Sequence, residues 1–164
     1  MILIGLGGNL PSAAGGPEAT CTAAMAQLEG AGVQILARSP WYQTAPVPIS
    51  DQPWFMNAVL QVSTSLAPAD LLGLMHDVEA AMGRVRTIPN AARAVDLDLL
   101  AYEGIVRAGP DAPVLPHPRL QDRAFVLFPL RDIAPQWRHP VTGETPDEMI
   151  ARMPPDQEIR PLKP

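Results

Sequence analysis

The octet Arg93-Ala94-Val95-Asp96-Leu97-Asp98-Leu99-Leu100 alternates apolar and acidic side chains with the period of a β-strand. Extended backbone turns successive side chains to opposite faces, so Val95, Leu97 and Leu99 share one face and Asp96 and Asp98 the other. Two like charges so placed stand roughly 7 Å apart. They repel unless water screens them or a cation sits between them. Arginines cluster just upstream at Arg84, Arg86 and Arg93, as a site that handles phosphate oxygens needs. Carboxylates for Mg²⁺ beside guanidiniums for a polyphosphate are the inventory of phosphoryl transfer. A solvated strand face accounts for Asp-x-Asp alone; the arginines and the motifs below favour the chemical reading.

Composition narrows the setting. The chain has 164 residues, which predicts one domain over 1–164 with a core of useful size. Hydrophobic residues make up 47% and charged residues 18%, ordinary for a soluble globular protein. The opening Met-Ile-Leu-Ile-Gly-Leu run is too short to span a bilayer and lacks the basic flank of a signal peptide, so the cytoplasm is the expected location. A single cysteine, Cys21, excludes an internal disulfide and a cysteine-based zinc site. A net charge of −5 argues against general nucleic-acid binding, though not against a local basic funnel for a small polyphosphate. Proline is the outlier at 20 copies and predicts several long, ordered loops.

The order of elements follows from periodicity and breakers. A buried strand over 2–6 closes at Gly7-Gly8-Asn9, where a tight strand-to-helix turn needs small residues. An alanine-rich helix over 17–28 stops at Gly30 and Gly32, and a strand over 33–39 follows. Residues 40–53 hold four prolines and read as loop. A strand over 55–64 precedes a helix from Leu66-Ala67-Pro68 to Met82 that buries Leu71, Leu74, Met75 and Val78. Gly83 ends it, and a second loop runs over 84–93. A strand over 94–101 and a turn at Tyr102-Glu103-Gly104 lead to Ile105-Val106 as a hairpin. Residues 122–133 are helical despite Pro129, and a short helix over 146–153 takes Thr145 as its N-cap. Two β-α-β units and a helical tail over 134–164 predict a mainly antiparallel α+β sandwich of the split-βαβ kind.

Other segments carry chemistry. Gly5-Leu6-Gly7-Gly8-Asn9-Leu10 imitates a dinucleotide fingerprint but lacks its last glycine, and it has no Lys-Ser/Thr for a P-loop. Arg84 and Arg86 follow a helix end, where they either compensate its dipole or clamp phosphate oxygens. The stretch from Leu115 to Phe125 adds His117, Arg119 and Arg123. Asn57 sits in an apolar strand beside Phe55. A buried amide needs partners for its oxygen and both N–H groups, and a planar heterocycle supplies them while an aromatic ring stacks on its face.

Taken in order, these segments resemble the 6-hydroxymethyl-7,8-dihydropterin pyrophosphokinase family of folate biosynthesis over about residues 2–133. The segments that carry it are Gly7-Gly8-Asn9-Leu10, Ser39-Pro40-Trp41-Tyr42-Gln43-Thr44, Asp51-Gln52-Pro53 with Asn57-Ala58, Glu79 with Gly83-Arg84-Val85-Arg86, Arg93 with Asp96-Leu97-Asp98, and Pro116-His117 with Arg123-Ala124-Phe125. The resemblance implies a ferredoxin-like three-layer sandwich. It also implies an ATP-dependent diphosphokinase that moves the β,γ-pyrophosphoryl group of ATP to the hydroxymethyl oxygen of a reduced pterin and releases AMP. By position, Asp96 and Asp98 would be ligands of two Mg²⁺ ions, and Arg84 and Arg93 would join them at the reacting phosphates. Glu79, Arg84, Arg86, Leu99, His117 and Arg123 would contact ATP. Thr44, Ala45, Val47, Phe55, Asn57 and Phe125 would form the pterin pocket. The implied partners are these small molecules, with no nucleic acid, membrane or obligate protein partner.

The chain departs from the family pattern in places. Gly8 stands where the family has serine. The family's Arg-Trp-Gly-Pro-Arg pattern is replaced by Pro89-Asn90-Ala91-Ala92-Arg93, which keeps only the last arginine, in a loop before Asp96 that is one residue shorter and that the resemblance makes a lid. Pro118 follows the histidine, and Ala112 and Val114 stand where polar ATP contacts are common. Two other readings compete. A degenerate family member could serve as a binding or scaffold protein, and the RNA-recognition fold shares the element order but displays aromatics on a basic face.

Overall fold

The computed structural model describes residues 1–46, 48–83, 94–110 and 113–162. Its strands are β1 (Ile2–Gly8), β2 (Gln34–Arg38), β3 (Tyr42–Thr44), β4 (Phe55–Ser63), β5 (Asp96–Tyr102) and β6 (Ile159–Pro161). Its α-helices are α1 (Pro17–Gly30), α2 (Pro68–Ala81), α3 (Ala124–Ile133) and α4 (Pro146–Arg152). The strands form one sheet in the order β5-β1-β4-β3-β6, and β2 pairs with the far half of β4. All pairings are antiparallel. With β2 and β3 taken as one interrupted strand, this is the split-βαβ order that the periodicity predicts. No helix among the described residues is long and apolar enough to cross a membrane.

Strand alternation divides the core into two layers. Ile2, Ile4 and Leu6 of β1, Ala58, Leu60 and Val62 of β4, and Leu97 and Leu99 of β5 turn toward α1 and α2. They meet Cys21, Ala24 and Leu28 of α1 and Leu71, Met75 and Val78 of α2, residues spaced three and four apart. The opposite face offers Leu3, Val59 and Leu100 to Val126, Leu127 and Leu130 of α3 and Met149 of α4. Both helices on the first face begin with proline at their first turn, where its missing N–H costs nothing. Helix α4 opens with a capping box, Thr145 Oγ1 accepting from Glu148 N and Glu148 Oε1 from Thr145 N. Pro129 stays inside α3, where it is buried.

Three expectations need correction. Residues 40–53 are not all loop: Tyr42–Thr44 pairs with Phe55–Asn57 of β4, too short a run between prolines to show alternation. The hairpin after β5 does not form. Glu103 and Gly104 turn with positive φ of 50° and 72° and the Ile105 N–H closes the turn on Tyr102 O, but the chain then leaves β5: Arg107 makes an isolated bridge with Leu115, and the His117 N–H takes the Leu100 carbonyl instead. The tail is not wholly helical either, because Ile159–Pro161 adds an edge strand to β3. Its Ile-Arg-Pro sequence has no strand signal of its own; the open edge of β3 supplies the template.

Candidate active site

The sheet's second face is only partly covered. Beyond Leu3, Val59 and Leu100, where α3 and α4 pack, the register lines up Tyr42, Asn57, Gly7 and Asp96 across four adjacent strands. One step along, Asp98 pairs with Gly5. A cavity of about 370 Å³ opens over this row. From the sheet side it is lined by Gly7, Thr44, Phe55, Asn57 and Asp96, from the loop after β3 by Ala45 and Pro48, and from the approach to α3 by Arg119, Asp122, Arg123 and Phe125.

Gly7 makes the row possible. A Cβ at this position would lie 2.2 Å from Asn57 Oδ1 and 3.1 Å from the carbonyl of Met56, so only glycine lets the amide lie across β1. This revises the reading of Gly7-Gly8 as a strand-to-helix turn. β1 continues through Gly8, and Gly7 serves a close side-chain approach inside the sheet. Asn57 is 8% exposed and donates from Nδ2 to Thr44 Oγ1 at 2.6 Å, which fixes the plane of its amide. Phe55 and Phe125 add rings to the same cavity.

Charge enters from the β5 side. Arg123 Nη1 stands 4.0 Å from Asp98 Oδ2, and its guanidinium lies 5.2 Å from the centre of the Phe125 ring. One side chain thereby links the carboxylate pair to the aromatic wall. Glu79 is buried on α2, and its Oε2 accepts from the Leu97 N–H at 2.9 Å, between the two aspartates in sequence. It pins the start of β5 and does not line the cavity. Leu99 packs in the first core, so its side chain is on the face opposite Asp96 and Asp98.

His117 lies against β5. Its backbone N–H donates to Leu100 O at 2.9 Å, and its Nδ1 accepts from the Arg119 N–H at 3.1 Å. Burial first, and then the charges of Arg123 and Arg119, push its pKa down to about 4 against the opposing pull of Asp96. Near pH 7 the ring is neutral with its proton on Nε2.

Among the described residues no three His, Cys, Asp or Glu side chains gather to hold a metal ion. Two strand-mate carboxylates still suit Mg²⁺, which takes one or two carboxylates and completes its shell with water and substrate phosphates. The donor set fits the ion that the sequence implies.

Of the sequence-predicted residues, the structure brings Thr44, Ala45, Phe55, Asn57, Asp96, Arg123 and Phe125 to one cavity, with Asp98 paired to Arg123 at its side. Arg84, Arg86, Arg93 and Val47, and the lid expected over 84–93, lie outside the described residues. Gly7 as a cradle, Pro48 and Asp122 escaped the sequence reading, and Arg119 was noted there without a role. Glycines at alternate positions 5 and 7 of an apolar strand were the available signal for the first. Arg119 stood two residues past His117, but no periodicity aimed it anywhere.

Comparison with known proteins agrees with this geometry. The family model described as 7,8-dihydro-6-hydroxymethylpterin-pyrophosphokinase (HPPK) matches residues 3–135. The 2-amino-4-hydroxy-6-hydroxymethyldihydropteridine pyrophosphokinase of Methylorubrum extorquens is 40% identical over 93% of this chain and 92% of its own length. The Pseudomonas aeruginosa protein of that name is 37% identical over 92% and 90%. The folic acid synthesis protein fol1 of Schizosaccharomyces pombe is 37% identical over 75% of this chain, which spans only 17% of that protein. A solved Plasmodium falciparum HPPK-DHPS chain superposes with a TM-score of 0.69 at 14% identity, over 92% of this chain and 43% of that one, a likeness of fold. The chain belongs to the 7,8-dihydro-6-hydroxymethylpterin-pyrophosphokinase family.

Proposed function

We propose that this chain transfers the β,γ-pyrophosphoryl group of ATP to the hydroxymethyl oxygen of 6-hydroxymethyl-7,8-dihydropterin, releasing AMP, as a step of folate biosynthesis. The observation that carries the reading is the register row itself. An amide held by Thr44, in one cavity with two phenylalanines, lies two strands from a pair of aspartates. A flat heterocycle that exchanges hydrogen bonds with Asn57 and packs against Phe55 and Phe125 would point its substituent along the row toward Asp96.

The division of labour follows. Thr44 and Asn57 select the heterocycle's edge, because an analogue lacking matching groups would leave a buried amide unpaired. Asp96 and Asp98 would hold Mg²⁺, which supplies charge neutralisation for the polyphosphate when bound. Arg123 spans the two halves of the site. His117, neutral but flanked by two arginines, donates from Nε2 to phosphate oxygens. Arg84, Arg86 and Arg93 would add cations on the nucleotide side. No covalent intermediate is required: orientation and charge neutralisation around an in-line displacement suffice.

Calorimetry of the Asn57→Ala variant tests the pterin assignment. Pterin binding should weaken by about 1–3 kcal/mol, the consequence of losing a buried polar partner, with ATP binding little changed. Equal losses for both ligands would refute pterin readout by Asn57.

A further inference from the structure

The segment after α4 lies beyond the family match, yet it reaches both walls of the cavity. One side chain there holds the peptide groups on either side of Arg123. Gln157 Oε1 accepts from the Ala124 N–H at 2.9 Å, and its Nε2 donates to Asp122 O at 2.7 Å and to Pro154 O at 3.3 Å. Ala124 opens α3, and no side chain at the helix's own N-cap, Arg123, satisfies that first turn. An amide is suited to the task because it accepts from one peptide and donates to the other. The next residue ties the opposite wall: Glu158 O accepts from the Ala45 N–H at 3.1 Å. β6 then runs along β3, pairing Ile159 with Thr44, and the Leu162 N–H donates to Trp41 O at 2.9 Å.

Residues 157 and 158 therefore join the Asp122–Arg123–Phe125 wall to the Thr44–Ala45 wall. We propose that Gln157 is a positioning residue for pyrophosphoryl transfer, acting through Arg123 and Phe125, and that β6 is the strap that fixes the spacing of the two walls. The proposal rests on the function argued above. A tail that merely adds stability would tie to the back of the sheet as well as anywhere; this one fixes the backbone of the residue that bridges carboxylates and aromatic wall.

The test is Gln157→Ala in the full chain, assayed well below its melting temperature, alongside Arg123→Ala and the double variant. Gln157→Ala should lower kcat/KM for the pterin by about ten- to a hundredfold, the scale of loss when a reacting geometry is displaced. Because Gln157 acts through Arg123, the double variant should lose little beyond Arg123→Ala alone. Hydrogen exchange at the Ala124 amide should quicken. Gln157→Glu keeps an acceptor for Ala124 but loses the donor to Asp122, so it should fall between wild type and Gln157→Ala. The cycle can be run on Gln157→Glu if the alanine variant does not fold. Wild-type kinetics in the variant, or losses that multiply in the double, overturn the proposal. A wild-type chain that releases no AMP overturns the functional reading first, whereas an active wild type with an indifferent Gln157 variant overturns this inference alone.

Discussion

Gly7→Ala is the smallest change that should disable the cavity. The added Cβ would stand 2.2 Å from Asn57 Oδ1, while carbon and oxygen normally approach to about 3.3 Å. The amide must therefore retreat by about 1 Å, because β1 is held by β4 and β5 on both sides. Retreat costs the 2.6 Å hydrogen bond to Thr44, about 1 kcal/mol, and the overpacking adds about 1–3 kcal/mol. Loss of glycine's freedom in the unfolded chain returns about 0.4–1 kcal/mol. The net is a destabilisation of about 1–3.5 kcal/mol, with pterin affinity lowered about 10- to 100-fold by the displaced amide. Gly5→Ala is the control, since its nearest neighbour would be Leu100 Cδ1 at 3.5 Å, an ordinary contact. Denaturant unfolding and pterin titration measure both effects, and Gly7→Ala in an Asn57→Ala background isolates the clash. If Gly7→Ala costs as much without the Asn57 amide as with it, the cradle argument is wrong.

Asp98→Ala should abolish pyrophosphoryl transfer yet leave unfolding within about 1 kcal/mol of wild type, since the partly buried pair with Arg123 is long at 4.0 Å and like-charge repulsion from Asp96 is relieved. Wild-type turnover by the purified variant would remove Asp98 from the metal-binding assignment. For His117, the folded chain keeps the ring neutral down to about pH 4, whereas the unfolded chain protonates it near 6.5. In that window the unfolded state binds the extra proton, so the contribution is complete above about pH 6.5 and falls by up to about 3 kcal/mol as pH drops toward 4. A stability–pH profile for wild type and His117→Asn checks this, and identical slopes for both would contradict it.

The fold was legible wherever one residue in two or in three to four met a single core. Val95, Leu97 and Leu99 announced β5, and Leu71, Met75 and Val78 announced α2. The elements that escaped, Tyr42–Thr44 and Ile159–Pro161, are three-residue strands whose pairing comes from neighbours distant in sequence. The site divides the same way. Asp96, Asp98 and Asn57 were conspicuous because polar groups on apolar strands demand partners. Gly7 was misread because glycine in a strand looks like a turn until the facing side chain is known. Gln157 was invisible, since an amide in a polar tail carries no periodicity and its partners in the cavity wall lie 33 and 35 residues away.

The most direct test of the account follows the nucleotide product. The purified chain, given ATP, Mg²⁺ and 6-hydroxymethyl-7,8-dihydropterin, should form AMP and pterin diphosphate in equal amounts by phosphorus NMR, and omission of the pterin should stop AMP release. Formation of ADP with a pterin monophosphate, or AMP release that does not depend on the pterin, would contradict it.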